Sequence, residues 1–96
     1  MDKLSSERIE AWLEDQSDWS LAGDAIQRTL VFDDFVAAIE FVNRVAELAE
    51  SQQHHPDIMV RWNKVTLTVS THDAGGLTEK DFELAGAVSE HAPAVG

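Results

Sequence analysis

An α+β fold, a four-stranded antiparallel sheet with three helices packed on one face in the order α-β-β-α-β-β-α, is predicted by three observations. Two pairs of short apolar runs each surround a turn dipeptide, one at Gly23-Asp24 and one at Asn63-Lys64. Three amphipathic segments precede, separate and follow these pairs. Connections this short impose antiparallel pairing, and helices with one apolar side are suited to cover one sheet face.

The first helix lies in SSERIEAWLED, where a serine precedes a turn containing Glu7 and where Ile9, Trp12 and Leu13 form one stripe. DWSLAGDAIQRTLVF supplies the first strand pair, with Ile26, Leu30 and Phe32 on one face of its second strand. DDFVAAIEFVNRVAELAE is the longest helix, with Asp33 as expected N-cap and Phe35, Ile39, Val42, Ala46 and Ala49 as expected buried stripe. Its last turns carry Glu47 and Glu50. Carboxylates at that end oppose the helix dipole by roughly 0.3–1 kcal/mol each, so Glu50 asks for a reason.

The second strand pair, DIMVRWNKVTLTVSTHD, alternates Ile58, Val60 and Trp62, then Val65, Leu67 and Val69, with Thr66, Thr68, Ser70 and His72 on the opposite face. The last helix opens in LTEKDFELAGAVSE with Thr78 as N-cap and Asp81 three residues on, the pattern of a capping box. Trp62 and the phenylalanines are expected in the core, and His91 at a solvated helix end. No repeat or linker divides the 96 residues, so one domain, 1–96, is expected.

Composition excludes several functions. Seven Lys and Arg against 18 Asp and Glu give a formal charge of −11, which disfavours direct nucleic-acid binding. The absence of cysteine removes disulfides, thiolate nucleophiles and Cys-ligated metals. No apolar run is long enough for a membrane span or a signal peptide, so a cytoplasmic protein is expected.

What remains is histidine, carboxylate and hydroxyl chemistry, and ESQQHHPDIMVRW concentrates it. His54 and His55 are adjacent and Pro56 restricts His55 to extended conformations, while His72 stands at the end of the following strand. Adjacent strand residues point to opposite faces, so both imidazoles can serve one cavity only from a loop. An exposed loop is one reading. A metal site of His54, His55 and His72 with Asp57 or Asp73 is another, though adjacent histidines lack the i, i+4 spacing of helical zinc sites. The third is metal-free acid–base catalysis, since an imidazole titrating at about 6.5 both gives and takes protons near neutrality.

The spacing Glu50, three residues, His54-His55-Pro56, five residues, Trp62, nine residues, His72, eight residues, Asp81 resembles that of the pterin-4a-carbinolamine dehydratases. STHDAGGLTEKD, RVAELAE, Trp19 and the Phe32-to-Phe41 spacing extend the resemblance over nearly the whole chain. It implies dehydration of 4a-hydroxytetrahydropterin to quinonoid dihydropterin, in support of tetrahydropterin recycling, with no cofactor and no metal. His54, His55 and His72 match the family's active-site histidines. His54 and His72 are expected to exchange protons with the substrate and His55 to orient it. Pterin contacts are implied at Gln53 to His55 and at Ser70, Thr71, His72 and Asp73, with Asp81, Glu50 and Trp62 in support and Asp81 expected to hold His72. The resemblance also implies a homodimer or homotetramer. A non-catalytic binding or assembly role, through a partner protein on the helical face, is the alternative; it would not require three imidazoles.

Overall fold

The computed structural model describes residues 2–92; residues 1 and 93–96 of the expected domain lie outside that range. The elements follow the expected order: α1 (Ser6–Asp15), β1 (Ser20–Ala22), β2 (Ala25–Val31), α2 (Phe35–Gln52), β3 (Asp57–Arg61), β4 (Lys64–Val69) and α3 (Glu79–His91), with a 3-10 turn at His72–Ala74. The strands form one antiparallel sheet in the order β1-β2-β4-β3. Sequence neighbours pair as hairpins, and the long-range β2–β4 pairing, from Ile26 opposite Val69 to Val31 opposite Lys64, joins the two halves.

Side-chain alternation then sorts the sheet into two faces. Ile26 and Leu30 of β2 and Val65, Leu67 and Val69 of β4 turn toward the helices and are buried with Val45 of α2 and Leu84 and Val88 of α3. Phe32 packs beside this core with its ring 5.1 Å from Phe41. The opposite face is polar: Gln27 donates to Thr68 at 3.0 Å, and the hydroxyls of Thr29 and Thr66 meet at 2.8 Å. Helix α1 docks on α3, its Trp12 stacked on Phe82 at 4.3 Å and its Arg8 paired with Glu79 at 3.1 Å. Truncating Leu67, wholly buried at the centre of this core, to alanine is expected to cost about 2–5 kcal/mol by denaturant unfolding, with the sheet order kept.

Three local expectations are corrected. The N-cap of α2 is Asp34, which accepts from the Ala37 N–H at 2.8 Å, and not Asp33. The buried side of α2 is Ala38, Phe41, Val45 and Ala49, whereas Phe35 is 51% exposed and Ala46 lies outward. The helix carries two apolar stripes that share Ala49, and the docked one has small alanines at both ends, where the helix approaches its neighbours. The second hairpin turns at Trp62-Asn63, since Arg61 pairs with Lys64. Trp62 therefore takes a left-handed φ of 53° at the tip and is 70% exposed instead of entering the core.

Candidate functional site

Antiparallel pairing of β3 with β4 brings the start of one strand beside the end of the other. Asp57 lies opposite Thr68, and continuing that register sets His55 across from Ser70. The histidine pair and the end of β4, 15 to 18 residues apart in the chain, thus meet at one edge of the sheet.

Helix α2 ends in a tight reversal that delivers the pair. Gln53 adopts a left-handed conformation (φ 52°), its N–H returns to Ala49 and Glu50 carbonyls, and the His54 N–H returns to the Ala49 carbonyl at 3.0 Å. This closure satisfies carbonyls at the helix end, at a conformational cost of about 1–2 kcal/mol for a residue other than glycine. Pro56 then keeps His55 extended into β3.

The two imidazoles have different partners. His54 is nearly buried, and its Nε2 lies 2.5 Å from Asp81 Oδ1, a contact in which an ionised carboxylate makes the ring nitrogen the donor. His55 is largely exposed, and its Nε2 lies 2.5 Å from Glu50 Oε2. Glu50, awkward at the end of a helix, therefore has a cation-forming neighbour one turn beyond it.

Asp81 is wholly buried at the start of α3. The expected capping box is present: Thr78 caps the helix, and Asp81 Oδ2 accepts the Thr78 N–H at 2.8 Å. Oδ2 also accepts the Thr71 hydroxyl at 2.8 Å. Asp81 thus holds His54, where His72 was the expected partner. His72 opens the 3-10 turn of a small loop closed by the Thr71–Gly76 bridge and is exposed, and its ring makes no hydrogen bond among the described residues.

Gln53, His54, His55, Ser70, Thr71, His72, Asp73 and Lys80 surround a cleft of about 280 Å³. All seven residues expected to meet a ligand line it. Glu50 and Asp81 stand behind its histidines, and Trp62 is absent, because β3 runs about 17 Å away from the cleft before reaching it. Lys80 was not anticipated; its signal was its place beside Asp81 in the first turn of α3, which puts a cation on the rim of an otherwise acidic protein's cleft. Among the described residues no group of three or more His, Asp or Glu side chains is arranged to hold a metal ion.

The family model described as Pterin 4 alpha carbinolamine dehydratase matches residues 2–91. A candidate pterin-4-alpha-carbinolamine dehydratase from Cyanothece sp. is 52% identical over 87 residues, covering 91% of this chain and 90% of that one. Another from Nocardia farcinica is 53% identical over 87 residues, covering 91% and 92%. The crystal structure of a transcriptional coactivator/pterin dehydratase from Brucella melitensis superposes with a TM-score of 0.91 at 30% identity, over 96% of this chain and 100% of that one.

Proposed function

The chain belongs to the pterin-4a-carbinolamine dehydratase family, a family of hydro-lyases, and we propose that its cleft dehydrates 4a-hydroxytetrahydropterin by histidine acid–base catalysis. The observation that carries this is the convergence of three imidazoles on one small cleft, one of them backed by a buried carboxylate. A volume of about 280 Å³ suits a bicyclic heterocycle, and main-chain groups at Ser70 to Asp73 and Gln53 to His55 offer donors and acceptors to its polar edge.

The elimination breaks the C4a–O bond and the N5–H bond and forms a C4a=N5 double bond and water. One group must protonate the departing hydroxyl and another must take the N5 proton. His54 is suited to the second task. Its Nε2–H is committed to Asp81, so Nδ1 is the nitrogen left to accept, and the carboxylate behind it stabilises the imidazolium that results. His72, without a carboxylate partner among the described residues, supplies the proton to the hydroxyl. One proton enters the protein and one leaves it, and exchange with solvent resets both rings. His55, tethered to Glu50 at the mouth, orients the pterin.

Carbinolamine generated in situ by a pterin-dependent hydroxylase provides the test. Added protein is expected to accelerate formation of quinonoid dihydropterin, to the same extent with EDTA present. No acceleration would leave the fold standing and move the function to binding or assembly.

A further inference from the structure

Hydrogen-bond direction around Asp81 is fixed by elementary chemistry. A carboxylate only accepts, so the Thr71 hydroxyl must point its single hydrogen at Oδ2. The Thr71 oxygen is then left to accept from the Thr78 hydroxyl, 2.8 Å away. The Thr78 oxygen in turn accepts the Lys80 N–H at 3.3 Å. Each hydroxyl has one direction only.

We propose that Thr71 and Thr78 are positioning residues whose directed relay clamps the Asp81 carboxylate and thereby holds the His54 ring with Nδ1 free for substrate. This rests on the acid–base role given to His54 above. The carboxylate torsion of an aspartate is intrinsically broad. Here the Thr71 hydroxyl and the Thr78 N–H seize Oδ2 together, which aims Oδ1 at His54 Nε2. Thr78 is wholly buried, so its hydroxyl has no bulk water to turn to. Thr71 continues the inward parity of Val65, Leu67 and Val69, so its hydroxyl is spent on Asp81 instead of on a ligand, while Ser70 and His72 take the other parity.

Thr71→Val removes the hydroxyl at nearly constant volume, and Thr71→Ser keeps it. Thr71→Val is expected to lower kcat about tenfold or more with KM within about twofold, since a small misplacement of a catalytic group is costly. Thr71→Ser is expected to restore it. In parallel, the downfield NMR resonance of the His54 Nε2 proton is expected in the wild type and in Thr71→Ser, and lost to exchange in Thr71→Val. Equal resonances and equal kcat in all three proteins would overturn the clamp, as would a Thr71→Ser as impaired as Thr71→Val. The wild type offers a check that needs no variant: its Thr71 hydroxyl proton is expected to be protected from exchange, and rapid exchange refutes the relay even if Thr71→Val does not fold. The NMR readouts need no substrate, so a protein that fails to dehydrate the pterin yet keeps these signatures refutes the function and not the clamp.

Discussion

Replacing His54 by alanine is expected to lower kcat for 4a-hydroxytetrahydropterin dehydration by about 10²- to 10⁴-fold, the usual weight of one positioned acid–base group. His72→Ala removes the other partner in the proton exchange and is expected to cost at least about tenfold. The double variant should fall to the unassisted rate without reaching the product of the two losses, because groups that act on one transition state are not additive. The variants also differ in stability. His72 is exposed and unpartnered among the described residues, so its removal should leave unfolding unchanged. His54 is nearly buried and donates to a buried carboxylate, so its removal strands an acceptor and is expected to cost about 1–3 kcal/mol. Far-UV circular dichroism and urea unfolding separate that loss from the kinetic one. A His54→Ala protein that folds and retains wild-type kcat would sink the catalytic assignment, whatever His72 does.

How much of this was legible in the sequence depended on the range of the interaction. The capping box at Thr78 and Asp81, the Gly23-Asp24 turn and the inward row Val65, Leu67, Val69 are local patterns, and the structure has all of them. The residues gathered around the cleft were legible through the family spacing, and the structure supplies the physical reason, since the short hairpin between β3 and β4 puts His55 near Ser70. The β2–β4 pairing that orders the sheet is long-range, and no local pattern encodes it.

The errors have the same origin. Two stripes on α2 satisfy a helical period equally well, and only docking against β4 and α3 selects Ala38, Phe41 and Val45 over Phe35 and Ala46. Trp62 completes the alternation of β3 on paper, yet the turn begins one residue earlier than expected and carries it into solvent. Which histidine Asp81 would hold was equally undetermined. His72 lies nine residues from Asp81 and His54 lies 27 away, so proximity in sequence favoured the wrong partner. Parity could have warned of part of this, since Thr71, not His72, shares the inward side of β4.

The substitution Asp81→Asn should separate the two tasks of this side chain, because an amide can satisfy every neighbour and still disable the histidine. The Oδ2 position receives the Thr71 hydroxyl and the Thr78 N–H, both donors, so the amide oxygen must occupy it. The amide nitrogen then takes the Oδ1 position facing His54 Nε2, where it donates. Nε2 is thereby forced to accept, and the ring proton moves to Nδ1, the nitrogen that must be bare to receive the N5 proton. The imidazolium also loses its counter-charge. Every neighbour keeps a partner and the cap survives, but the second amide N–H is buried without one, so the cost in stability is expected to be about 1–3 kcal/mol, whereas the wrong tautomer should lower kcat by about 10²-fold or more. Nitrogen NMR of His54 would show the proton exchanged from Nε2 to Nδ1. If Asp81→Asn kept wild-type kcat, the carboxylate would be a helix cap and nothing more, and the base would have to be sought in His55 or His72. A large kinetic loss in a protein that still folds cooperatively, by contrast, ties the buried carboxylate to the proton transfer through the tautomer it imposes.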